Sequence, residues 1–269
     1  MIFGNTYPYT LLTTSFTSFT HIMGIDYVVC ESIFQSFKYV TSKKRLLTLG
    51  RQGIHIGAHT FNYFLKKHNV SHLMDKYPYN SYCELFFTDM GFETVDSIDN
   101  SSYEGATIIH NMNNPIPAHS KNRYDYIFDG GTTEHIFNTA QVCENVINLL
   151  NVGGIYVSVT PNNNFSGHGI YQFSPEFYLS AFSKKYGMVV QELYLAKVGS
   201  DIDTWMDVNV DNTKLDPNWG GRNVSSFNSN DPVYIVAIIK KISNDGANLI
   251  ANSPNQFSYE QIDWKNNLN

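Results

Sequence analysis

The sequence predicts an α/β fold built on a mostly parallel sheet of seven strands covered by helices. Two patterns predict it. Short apolar, β-branched runs alternate with amphipathic stretches, and helix start and stop signals fall between those runs. Strands are expected at residues 45–49, 94–98, 106–110, 124–128, 155–160, 189–197 and 233–242. Between the fourth and fifth, residues 138–151 set Val142, Val146, Leu149 and Leu150 at helical spacing, with Gly153 and Gly154 stopping that helix before the next strand. Between the fifth and sixth, Ser174-Pro175-Glu176 supplies a cap, a Pro at the first helical position and an early acid, and Gly187 closes the helix.

The reading divides the chain into an N-terminal extension, 1–42, with a helical stretch near 27–39, a main domain, 43–243, and a polar tail, 244–269, with a weak helical stretch near 259–264. A long polar insertion at 200–232 carries Trp205, Trp219 and Gly220-Gly221. A loop of that length is a lid, a substrate-contacting segment or a disordered one, and the two tryptophans favour order.

Composition bounds the function. The 269 residues are 42% hydrophobic, enough to bury a substantial core. Eighteen Lys and Arg against 24 Asp and Glu leave a net charge of −6, which offers no electrostatic footprint for a phosphate backbone, so nucleic acid is a disfavoured partner. Cys30, Cys83 and Cys143 form no Cys-x-x-Cys pair and no disulfide framework, which points to the reducing cytoplasm. With no leader-like N-terminus and no window of about 18 apolar residues, neither secretion nor membrane insertion is expected.

In an open parallel sheet, ligands bind beyond the carboxyl ends of the strands. Leu49-Gly50-Arg51-Gln52-Gly53 follows the first strand: a glycine turn that serves equally for a cofactor loop or a plain strand-to-helix turn. Asp99 ends the second strand, where one carboxylate can accept from both hydroxyls of a ribose diol, or can cap a turn. After the third strand, Asn111 and Met112 precede Pro115, where an amide could meet an adenine edge or make an Asx-turn. The richest segment is Asp129-Gly130-Gly131-Thr132-Thr133-Glu134-His135 after the fourth strand, because glycines beside ionisable groups contribute little to a core. His168, between Gly167 and Gly169, lies on a loop able to reach the same edge.

Taken together, these strand ends resemble the class I, seven-stranded S-adenosylmethionine-dependent methyltransferases over about residues 43–242. The resemblance implies a three-layer Rossmann-like sheet with helices on both faces and an antiparallel seventh strand lying between the fifth and sixth. It further implies that Gly50, Arg51 and Gln52 line the methionine half of the cofactor, that Asp99 holds the ribose diol, and that Asn111 and Met112 flank the adenine. Asp129 and Gly130 would border the sulfonium and the substrate. The cofactor carries no phosphate, so the absence of a full Gly-x-Gly-x-x-Gly array is tolerable, and Arg51 could meet its carboxylate. Gly50 stands 49 positions before Asp99 where about 20 is usual, leaving room for an added helix near 82–90.

Methyl transfer to a hydroxyl needs an aligned acceptor and a base, and His135 and His168 are the candidates, with Glu134 to orient either. Each histidine could also be structural or only recognise substrate. The same trio resembles part of the metal site of small-RNA 3′-terminal ribose methyltransferases and of some quinone-pathway O-methyltransferases; Gly131 stands where a further Glu ligand would be, so the reading favours no resident metal and keeps a weak divalent site at Glu134, His135 and His168 as the alternative. The resemblance implies O-methylation of a small or sugar-like acceptor, in the setting of surface-glycan biosynthesis. A metal-assisted RNA ribose methyltransferase and a catalytically inactive binding protein of the same fold are the alternatives.

Overall fold

A computed structural model describes residues 24–208 and 229–256. Trp219, Gly220-Gly221 and the stretch 259–264 lie outside the described residues. The main sheet contains β1 (Arg45–Leu49), β2 (Thr94–Asp99), β3 (Ile108–Ile109), β4 (Tyr124–Asp129), β5 (Leu150–Asn163), β6 (Met188–Lys197) and β7 (Val233–Lys241). Their spatial order is β3-β2-β1-β4-β5-β7-β6, with a two-residue strand, Met206–Asp207, on the β6 edge. β1 to β5 pair in parallel, while β7 inserts antiparallel between β5 and β6, as expected for its position.

Side-chain alternation divides the strands between two cores. Leu46, Tyr126, Phe128, Ile155, Val157 and Val159 face one side, under α1 (Tyr27–Ser36), α2 (Ala58–Lys67) and α3 (Glu84–Asp89). Leu47, Ile127, Tyr156, Ile235, Ala237 and Ile239 face the other, under α4 (Thr139–Leu149) and α5 (Pro175–Ala181). Helices therefore cover both faces, and none among the described residues is long and apolar enough to cross a membrane.

Several expected boundaries move, each for a local reason. Gly153 and Gly154 do not stop α4, which ends at Leu149; they lie inside β5, where the register against β4 shifts between Tyr124 and Tyr126. A Cβ on Gly154 would meet the Asn151 carbonyl at 2.9 Å, so the bulge needs glycine there. The third strand shrinks to two residues because Thr107 pairs through its side chain: the Ser97 amide donates to Thr107 Oγ1 at 2.7 Å in place of a ladder bond. The added helix expected near 82–90 forms as α3.

Residues 24–37 are built into the main core. Asp26 caps α1 by accepting from the Val29 amide at 2.9 Å, and Val28, Val29, Ile33 and Phe34 are buried against the sheet. Gly24–Ile25 pairs in parallel with Gly53–Ile54, fastening this segment beside the loop after β1. The stretch after residue 243 is also anchored, since buried Leu249 donates its amide to Glu144 Oε2 at 2.8 Å.

Candidate active site

The turn after β1 sets the first wall. Gly50 adopts φ 68°, a left-handed conformation, and its amide donates to the Ile98 carbonyl at 2.8 Å, holding the ends of β1 and β2 together. Between them opens a cleft of about 270 Å³, into which Gly50, Asp99, Asn111, Met112 and His135 converge over a floor of Leu49 and Ile98. Asp99 Oδ1 accepts from the Ser101 amide at 2.9 Å, and Asn111 Oδ1 accepts from the Asn113 amide at 3.0 Å. Both side chains thus make local turns while they line the cleft.

Arg51 and Gln52 sit apart from this group. The Arg51 guanidinium lies over the Tyr82 ring at 3.8 Å and donates to Glu84 Oε1 and to the Glu104 carbonyl, each at 2.6 Å. Gln52 is fully buried, and its Nε2 donates to the Leu49 carbonyl and to Thr132 Oγ1. Its Oε1 is buried with no hydrogen-bond partner, 2.9 Å from where a Cβ on Gly130 would be. Asp99, which lines the cleft, suits the diol of S-adenosylmethionine, whereas Gln52 is enclosed beneath it.

Asp129 is buried at the end of β4 and organises the loop from beneath. It accepts from the Thr132 amide at 2.8 Å, the Thr133 hydroxyl at 2.5 Å and the Tyr156 hydroxyl at 3.1 Å. Burial pushes its pKa above the usual carboxylate range, and these donors work against that shift. The turn that results, Thr133–His135, delivers Glu134 and His135 side by side.

Glu134 is where the edge closes. Its carbonyl accepts from the Ile170 amide at 2.8 Å and the Tyr171 amide at 3.2 Å, which pins the His168 loop against it. Gly169 makes this approach possible: its φ is 72°, and a Cβ there would meet Glu134 Cγ at 2.9 Å. Glu134 Oε1 lies 3.4 Å from His168 Nε2 and 3.8 Å from His135 Nε2, and the two imidazole centroids are 4.9 Å apart. One ligand atom from each of the three residues falls within 4.8 Å of the others. Burial raises the Glu134 pKa to about 7, with the nearby Asp129 charge adding to the rise and His168 opposing it.

The structure adds residues that the sequence did not single out. The Gly24 amide donates to the Gly130 carbonyl at 3.1 Å, so the N-terminal segment walls the same edge. Tyr234 on β7 hydrogen-bonds half-buried Asp26 and stacks on Phe165, whose ring centroid is 5.9 Å from that of His168. An Asp before a helix signals an N-cap, but nothing local predicts its partner some two hundred residues on.

Cleft and cluster both lie at the carboxyl edge of a sheet ordered 3-2-1-4-5-7-6 with the seventh strand reversed. This is the Rossmann-like sheet, with a reversed seventh strand, that the resemblance implies. No protein-family model matches the chain, and no curated protein sequence matches it. Among solved structures, the chain is similar to the 1,6-didemethyltoxoflavin-N1-methyltransferase of Burkholderia thailandensis, at 10% identity over 81% of this chain and 80% of that one, with a TM-score of 0.41. It is likewise similar to a geranyl diphosphate methyltransferase, at 12% identity over 80% and 85%, with a TM-score of 0.44. Within this fold, Gly50, Asp99, Asn111 and Met112 share the cleft with His135, while Gln52 and Asp129 are packed beneath the edge.

Proposed function

We propose that this chain is an S-adenosylmethionine-dependent methyltransferase that methylates a hydroxyl of a small or sugar-like acceptor, in the setting of surface-glycan biosynthesis. The supporting observation is the adjacency of the Asp99 cleft to the Glu134-His135-His168 cluster, joined through His135, which belongs to both. Bound S-adenosylmethionine supplies an electrophilic methyl group. Asp99, on the cleft wall, would accept from its ribose hydroxyls. His168 takes the proton from the acceptor hydroxyl, and Glu134 Oε1, 3.4 Å from its Nε2, balances the imidazolium charge that forms. His135 sets the boundary between cofactor and acceptor.

A second reading rests on Glu134. Its carboxylate is buried, with Oε1 3.4 Å from His168 Nε2 and 3.8 Å from His135 Nε2. Two imidazoles and one carboxylate would suit a divalent transition ion, which would polarise the acceptor hydroxyl. Turnover assays over sugar, phenolic and RNA acceptors, with and without chelator, test both readings. Methylation of a sugar hydroxyl that survives chelation supports the base mechanism, and loss restored by a divalent ion supports the metal. Transfer to RNA alone, or cofactor binding without turnover on any acceptor, overturns the proposed acceptor class.

A further inference from the structure

A second cavity, of about 360 Å³, lies next to the cofactor cleft and shares Ile98 and His110 with it. Its origin is topological. Parallel strands are normally joined by a dozen or more residues that include a helix, yet β2 and β3 are joined by residues 100–107 alone. The next connection, 110–123, carries only the single turn Ala118–Ser120. No α-helix covers this corner among the described residues, and Leu47, Ile98 and Leu149 form an apolar floor under Ile116 and Pro117.

The rim is polar and basic. Arg123 and His119 are exposed at the opening, and Arg123 forms no ion pair among the described residues. Asp96, the acid on the rim, is already matched: Arg45 NH2 donates to its Oδ2 at 2.6 Å and the Tyr124 hydroxyl at 3.0 Å. The field left at the mouth is therefore positive, while the interior is aliphatic. A volume above about 300 Å³ with an apolar lining and a few polar groups at one end is the form of a small-molecule site.

We infer that this cavity binds a small apolar carboxylic acid, its ring or branched chain on the Leu47-Ile98-Leu149 floor and its carboxylate at Arg123. An Arg side chain pairs with a carboxylate in two parallel hydrogen bonds, and the floor selects against strongly hydrated anions. Because the shared wall is Ile98 and His110, the occupant lies beside the cofactor cleft without entering it. The inference does not depend on methyl transfer.

Phenylacetate is the probe, titrated calorimetrically into the full chain, with phenethylamine as the cationic control. The expected result is millimolar binding of the acid, no binding of the amine, and about a tenfold loss in Arg123→Ala that Arg123→Lys partly recovers. Arg123 is exposed, so neither variant threatens the fold. Methyl NMR shifts at Ile108 and Ile116 place the ligand in this cavity, and phenylacetate and S-adenosylhomocysteine bind together. Equal binding of acid and amine, unchanged affinity in Arg123→Ala, or displacement of phenylacetate by S-adenosylhomocysteine would each overturn the assignment.

Discussion

Glu134 Oε1, on a carboxylate that is almost wholly buried, lies 3.4 Å from His168 Nε2. An acid so placed is held at a cost to stability. Such costs concentrate at sites where chemistry needs them, and the same contact joins the loop after β4 to the loop after β5.

The first prediction is a pH-dependent gain in stability for Glu134→Gln. The folded pKa of about 7 stands above the ordinary value of 4.5, so between those values the folded chain holds a proton that the unfolded chain has lost. Wild-type stability therefore falls as pH rises through that window and stays low above it. Relative to wild type, Glu134→Gln should gain on the order of 2 kcal/mol between pH 4.5 and pH 8. Urea denaturation at the two pH values measures this, and a difference that does not change with pH would refute it.

Removing either imidazole should separate turnover from cofactor binding. His168→Ala is expected to lower turnover by about 10²- to 10⁴-fold while leaving S-adenosylhomocysteine affinity near wild type. His135→Ala should lower turnover too, with some loss of affinity because His135 also borders the cofactor cleft. Full turnover in both variants on the true acceptor would leave this edge a positioning role at most.

Cofactor binding gives a third prediction. A ligand that binds only the folded chain stabilises it by mass action, so S-adenosylhomocysteine at 100 times its Kd should add about 2.7 kcal/mol, read as a rise in Tm. Asp99→Ala should weaken binding about 10- to 100-fold through loss of a charged acceptor. NAD should leave Tm unchanged, and equal responses to the two ligands would remove the basis for the cofactor assignment.

Gly169→Ala should damage the site without touching any reacting group. Its φ of 72° disfavours a side chain, and the new Cβ would fall 2.9 Å from Glu134 Cγ. Backbone strain of this kind costs about 1–3 kcal/mol, and the His168 loop must lift to relieve it. Turnover should therefore drop with little change in S-adenosylhomocysteine affinity. A variant with wild-type stability and rate would show that the loop is not held closely on Glu134.

Most of the sheet was legible because strand periodicity is a local property. β1 lies where its apolar run ends, and the cleft residues Gly50, Asp99, Asn111 and Met112 follow from strand-end position alone. The glycines of the β5 bulge were misread because a glycine pair after a helical pattern signals a stop equally well. Thr107 could not reveal that it would substitute for the β3 ladder, since its partner Ser97 is ten residues away. The burial of Asp129 and Gln52 was hidden for the same reason: the Tyr156 hydroxyl that donates to Asp129 and the Thr132 hydroxyl that accepts from Gln52 lie 27 and 80 residues from their partners.

The Gly24 to Gly130 hydrogen bond joins positions about a hundred residues apart, and closing so long a loop is entropically slow relative to forming the β4–β5 ladder. The reactive edge is thus closed by a contact that the sheet ladders do not themselves contain, and amide exchange at Gly24 reports on that closure.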